Sequence, residues 1–181
     1  MADFNESFDI VIKHEGLYSN HAKDKGGETF MGISRVYHPV WDGWEIVDNA
    51  SFHENKGVLL NSVKYFYKTN YWNRFMGDQI PGIAQSIATE LFDISINMGV
   101  HKAVKILQEG LNMLNRDEAV YGDLFIDGRL GEKTLTALIL HLNEEKGNSE
   151  WLRLIMNALQ VEKYLQIVRN NHTQEVFIRG S

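Results

Sequence analysis

Cysteine is absent from the 181 residues, so no disulfide staples the fold, and an oxidising compartment is neither required nor excluded. Proline occurs only twice, in His38-Pro39 and Pro81-Gly82, both of which read as loop. No apolar run approaches the length of a membrane span, so membrane insertion is not expected. Positive charge is scarce: 18 Lys and Arg stand against 24 Asp and Glu, a net charge of −6 that falls mostly on the first 97 residues. Without a basic stripe or an Arg-rich helix, nucleic acid is not an expected partner. The seven histidines show no metal-ligand spacing, and His14-Glu15 lacks the second histidine of a zinc helix, so no metal site is expected. Nucleophile elbows, phosphate-cradling glycine loops, dinucleotide fingerprints, repeats and low-complexity tracts are all missing. The length suffices for a full core in one domain or two small ones.

The informative stretch begins at His14-Glu15-Gly16 and runs to Ser34. Phe4, Phe8, Val11 and Ile12 recur at helical spacing, which predicts an amphipathic helix running into Glu15 and stopping at Gly16. Asp3 and Glu6 are spaced as a capping pair at its start. A carboxyl group in the last turn meets the negative end of the helix dipole, which favours its protonated form, and partial burial acts the same way. After the helix, Tyr18 to Ala22 and Thr29 to Ser34 flank Lys25-Gly26-Gly27, and predict a hairpin. That hairpin would return Asp24 and Thr29 toward Glu15. Two carboxyls and a hydroxyl around a gap suit glycosidic cleavage: one donates a proton to the leaving oxygen, while the other orients water or stabilises positive charge. Taken singly, Glu15 is equally a solvated helix end and Asp24 a turn former.

Glu15, Asp24 and Thr29 together resemble the Glu–Asp–Thr triad of phage-type lysozymes. The wider segment resembles the N-terminal signature of glycoside hydrolase family 108, a family of bacterial and phage N-acetylmuramidases. Glu15, Gly16, Tyr18, Asn20, Asp24, Gly26, Gly27, Thr29, Gly32 and Ile33 match it in order, while Leu17, His21, Ala22 and Lys25 depart from it. The resemblance implies a mainly α (α+β), lysozyme-like fold with a small β-hairpin beside the catalytic helix. It also implies hydrolysis of the β-1,4 bond between N-acetylmuramic acid and N-acetylglucosamine in peptidoglycan, without a cofactor. Glu15 would be the general acid, with Asp24 and Thr29 holding a water on the opposite sugar face. Such a placement predicts the wide carboxyl separation of an inverting enzyme. Tyr18 and Asn20 are candidate substrate contacts. A negative enzyme gains no long-range attraction to an anionic wall polymer, so recognition must rest on local sugar contacts.

Further along, Trp41-Asp42-Gly43-Trp44 lies in a predicted irregular loop over residues 35–50, as a sugar-stacking platform or as core anchors. Ser51-x-x-Glu54 has capping-box spacing and predicts a helix to about Thr69, with Tyr71-Trp72 as a packing anchor at its end. A helix from about Ile83 to Met98 would bury Ala84, Ile87, Ala88, Leu91 and Ile94. Glu90, Asp93 and Asn97 share another face of it. They form either a polar network bracing the catalytic helix or a second carboxylate set reaching the cleft, and Asp93 and Asn97 are carried as candidate substrate contacts. A change of domain is expected after Gly99, giving residues 1–99 and 100–181.

In the second segment Val104, Leu107, Leu111 and Leu114 form a helical stripe. Leu135, Leu138, Ile139 and Leu142 form another, following Asp127-Gly128-x-x-Gly131-x-x-Thr134. The run Leu107-Gln108 to Thr134 resembles the helical peptidoglycan-binding module that follows the catalytic domain in family 108. A final helix is predicted over residues 149–170, with Trp151, Ile155, Leu159, Tyr164 and Val168 buried. The start of the chain shows no basic n-region or apolar h-region, so synthesis in a bacterial cytoplasm and release through a holin or another export route are expected. A monomer acting on peptidoglycan glycan strands is the expected working form. A lytic transglycosylase, or a wall-binding or secretion-assisting protein with a degraded site, are the alternatives.

Overall fold

The computed structural model describes residues 1–12, 18–19, 27–49, 55–144 and 149–170. Glu15, Asn20, Asp24 and the Ser51-x-x-Glu54 signature lie outside the described residues. Among the described residues, seven α-helices and one small antiparallel sheet make a mainly α fold, as the sequence predicts. In chain order they are α1 (Phe4–Val11), β1 (Tyr18–Ser19), β2 (Thr29–Phe30), β3 (Ile33–Ser34), α2 (Gly43–Asp48), α3 (Lys56–Tyr67), α4 (Gln85–Met98), α5 (Val100–Leu114), α6 (Glu132–Asn143) and α7 (Ser149–Asn170). Among the described residues no helix is long and apolar enough to cross a membrane.

Helix α1 starts as its sequence requires. One Asp3 carboxylate oxygen accepts from the amides of Asn5 at 2.7 Å and Glu6 at 3.4 Å, satisfying donors that the first turn leaves open. The other half of the expected capping pair is replaced by a tertiary contact. The Asp3 amide donates to Gln85 Oε1 at 2.6 Å, and Gln85 Nε2 donates to the Asp3 carbonyl and to Ser7 Oγ, both at 3.0 Å. The starts of α1 and α4 are thereby tied together.

The sheet has the order β1-β2-β3, with Tyr18 opposite Phe30, Ser19 opposite Thr29, and Phe30 opposite Ile33. The predicted extended run Thr29 to Ser34 is thus split into two strands. Met31 (φ 45°) and Gly32 (φ 79°) make the turn between them. A side chain at Gly32 would be strained by that φ and would also place Cβ 2.5 Å from the Tyr67 hydroxyl oxygen. That hydroxyl donates to the Met31 carbonyl at 2.7 Å, so α3 pins the turn.

The expected loop over residues 35–50 contains α2, and its two tryptophans are core anchors. Trp41 and Trp44 are buried against each other, edge to face at 5.1 Å, and Trp44 Nε1 donates to the His38 carbonyl at 2.8 Å. With no exposed faces they form no stacking platform. After α3 the chain makes a π-helical turn, Lys68–Trp72, that buries Trp72 completely, the anchor expected there. Trp72 Nε1 donates to Asp78 Oδ1 at 2.7 Å.

Helices α4 and α5 are joined by Gly99 alone, at φ 88° and ψ 145°. Their hydrophobic core is nonetheless continuous: α4 packs on α1, α5 and α7, and α5 packs on α6 and α7. Two predicted faces are rotated. In α6 the buried side is Thr134, Ala137, Leu138 and His141, and Ile139 is 40% exposed. In α7 it is Leu152, Met156, Leu159 and Gln160, leaving Trp151 59% exposed. Trp151 therefore contributes surface where a core residue was expected.

Candidate active site

The end of α1 opens onto a cleft of ≈ 640 Å³, within the usual range for ligand sites. Val11 and Ile12 line it just before Glu15 in sequence, Thr29 and Gly32 line it from the sheet, and Tyr67 from the end of α3. Helix α4 supplies Glu90, Asp93 and Asn97, and α7 supplies Asn157. Three sequence-predicted residues, Thr29, Asp93 and Asn97, thus share one cavity although they come from the sheet and from α4.

Their local geometry follows from their elements. Thr29 is half-buried, paired with Ser19 across the sheet, and its hydroxyl donates to the Gly27 carbonyl at 3.3 Å. Asn97 is exposed and turns its amide back to the Asp93 carbonyl, one turn earlier in α4, at 3.0 Å. Asp93 is half-buried. Tyr18 is placed outside the cleft lining: it is 49% exposed, and its hydroxyl donates to Glu28 Oε1 at 3.1 Å.

Glu28 belongs to a charged brace under the sheet. Arg35 Nη1 donates to Glu28 Oε2 and to Asp48 Oδ1, each at 2.7 Å, and Arg35 Nη2 donates to Asp48 Oδ2 at 2.5 Å. The guanidinium also lies 4.9 Å from the centre of the Trp44 ring. Hydrogen bonds from Arg35 hold the Asp48 carboxyl below the usual carboxylate range, and the same bonds raise the arginine. This brace fixes the strand pair that carries Thr29.

Within the cleft the Glu90 carboxyl is shifted from its ordinary range. Its side chain is only 12% exposed, and burial pushes its pKa up. Asp93 pushes the same way, while a hydrogen bond from Asn157 and the charge of Arg153 oppose the rise. Sequence reasoning placed Glu90 on a face with Asp93 and Asn97 but missed Asn157, because the apolar stripe assigned to α7 was rotated. The usable signal was polar: Arg153, Asn157 and Tyr164 recur at i, i+4 and i+11 of that helix.

A larger cavity, ≈ 970 Å³, lies in the second segment, lined by residues between Gln108 and Ala137. At its base the motif residues meet around the buried Gln108. Its Nε2 donates to Asp127 Oδ1 at 2.9 Å, to the Arg129 carbonyl at 3.1 Å and to Thr134 Oγ1 at 3.2 Å, and its Oε1 accepts from the Gly128 amide at 2.8 Å. These bonds hold the Asp127 carboxyl below its ordinary range. The Asp127-Gly128 turn (Gly128 φ 72°) sits so close to α5 that a Cβ at Gly128 would lie 2.4 Å from His101 Nδ1. The sequence phrase is therefore a scaffold for an irregular segment on the rim of this cavity.

Comparison with known proteins bears on both segments. Residues 8–99 match the family model described as Glycosyl hydrolase 108, and residues 102–181 match one described as Predicted Peptidoglycan domain. No curated protein matches the chain. Among solved structures, SagA of Brucella abortus is similar over 98% of this chain and 97% of that chain, with 24% identity and a TM-score of 0.57, which shows a shared fold. The first match spans half of the chain and contains Thr29, Asp93 and Asn97. This protein therefore belongs to the Glycosyl hydrolase 108 family: it is a glycoside hydrolase, with peptidoglycan as the material it degrades.

Proposed function

We propose that the protein is an N-acetylmuramidase that hydrolyses the β-1,4 bond between N-acetylmuramic acid and N-acetylglucosamine. The observation that carries this reading is the cleft at the end of α1, which gathers Thr29, Asp93 and Asn97 beside the helix that leads to Glu15. In this reading Glu15 protonates the leaving oxygen, and Asp24 with Thr29 holds the attacking water. The first product then has inverted configuration, which requires the two carboxyls to stand about 6.5–9.5 Å apart. Residues 1–99 supply the chemistry, and residues 100–181 hold the enzyme on the wall.

Mass spectrometry of digested peptidoglycan tests the reaction. Reducing muramic ends are expected, whereas anhydro-muramic ends would make the protein a lytic transglycosylase. Glu15→Gln is expected to lower wall lysis by 10²–10⁴-fold, roughly the contribution of a positioned proton donor. If the purified, folded variant kept more than about a tenth of the activity, Glu15 would not be the acid.

A further inference from the structure

We propose that Glu90 and Asn157, with Arg153 balancing the Glu90 charge, form a saccharide-binding wall of the catalytic cleft, so that α7 is part of the substrate site as well as of the segment that holds the wall. The inference deepens the muramidase reading and rests on it for the identity of the sugar. Its geometry comes from two helices distant in sequence. Glu90 and Asn157 line the same cavity from α4 and α7, and Arg153 Nη1 stands 3.9 Å from Glu90 Oε2. That ion pair is too long for a hydrogen bond, so the guanidinium balances the carboxylate without occupying its acceptor sites.

The α7 stripe is matched to α4 along its length. Arg153 and Asn157 act on Glu90, and farther along, Tyr164 feels the charge of Asp93. Glu90 and Asp93 lie one turn apart on α4, as Asn157 and Tyr164 lie about two turns apart on α7. Of these groups Glu90, Asp93 and Asn157 line the cavity, beside the apolar contact by which α7 otherwise packs, through Leu152, Met156 and Leu159.

The chemistry of the seam fits an amino-sugar chain. A carboxylate only accepts hydrogen bonds, which suits sugar hydroxyls and the N–H of an acetamido group; Asn157 Nδ2 already donates to the Arg153 carbonyl at 3.0 Å and to Glu90, so its oxygen adds a second acceptor. Ile10, Val11 and Ile96 line the same cavity and offer apolar contact to ring faces and acetamido methyls. A half-buried carboxylate is costly to keep charged unless donors reach it, and a sugar in the cleft would bring such donors.

The competing role is a purely structural strut between α4 and α7. Full-length wild type, Asn157→Ala and Glu90→Gln are compared on a soluble tetrasaccharide of alternating N-acetylglucosamine and N-acetylmuramic acid. Steady-state kinetics, calorimetric Kd and thermal melting are measured for each. Loss of one such hydrogen bond predicts KM and Kd raised about three- to tenfold with kcat within about twofold. The Tm of Glu90→Gln should not fall, because the amide relieves a buried charge. Unchanged KM and Kd, or an activity loss that merely follows Tm, would overturn the proposal. A wild type that binds without cleaving sinks the muramidase reading, while the Kd values still decide this one. A wild type that does not bind overturns both.

Discussion

Around α1, α3 and α4 the core is centred on a cluster of rings, while between α5, α6 and α7 it is mostly aliphatic. Phe4 lies 5.7 Å from both Phe8 and Trp72 and 5.8 Å from Phe92, and Tyr67 lies 5.9 Å from Phe8 and 6.2 Å from Phe92. The second region buries Val104, Leu107, Leu111, Ala137, Leu138, Leu152 and Met156 instead. There Gly110 lets α7 approach α5 closely, since a Cβ at that position would meet Leu152 Cδ1 at 3.1 Å. The contrast follows from the elements to be joined. Two-residue strands and π and 3₁₀ turns leave irregular volumes that large rings fill, whereas α5, α6 and α7 meet helix against helix along regular grooves suited to Leu and Ala. Polar groups differ likewise. In the first region single bonds at ring edges pin loops, as from Trp72 to Asp78 and from Tyr67 to Met31. In the second, the side-chain amides of α5 hold the irregular segment in sequence, Asn112 at Leu124 and the buried Gln108 at Asp127, Gly128, Arg129 and Thr134.

Three substitutions probe this contrast. Trp72→Ala removes a fully buried ring from the aromatic cluster and should cost about 3–5 kcal/mol, read by denaturant unfolding, enough to unfold a marginal domain. Gln108→Leu preserves apolar volume but strips the Gly128 amide of its acceptor, so about 1–3 kcal/mol is expected. Its signature should be local, as faster amide hydrogen exchange over residues 127–131. If exchange rose as much in α1 and α3, the amide would not act on its own segment. Asp3→Ala should cost about 1 kcal/mol, the usual value for a lost N-cap, because Gln85 still accepts the amide of residue 3. A loss for Asp3→Ala larger than that for Trp72→Ala would mean that caps, not rings, hold the first region together.

Much of the fold was legible because periodicity and end signals are local. The Asp3 cap, the α4 face Ile87-Ala88-Leu91-Ile94 and the span of α7 all follow from spacing alone. Legibility of the candidate site was narrower. The ordered Glu15-to-Ile33 motif pointed to the family, and Thr29, Asp93 and Asn97 do share a cleft. Tyr18 instead joins the Glu28 brace, because a two-residue strand presents its neighbours to opposite sides and Arg35 gathers the carboxylate that Tyr18 meets.

By itself, then, the sequence determined most helix positions, though not that of α2, and the family motif. Only the tertiary structure decided which side of each element is buried. Trp41 and Trp44 became core because α2 and α3 close over them, and Trp151 became surface because α7 turns Leu152 and Met156 inward. Tertiary packing also brought Asn157 to Glu90, 67 positions away in the chain. Local spacing specifies which residues share a helix face. It carries no information on what that face will meet, since a contact between distant segments depends on how the whole core closes.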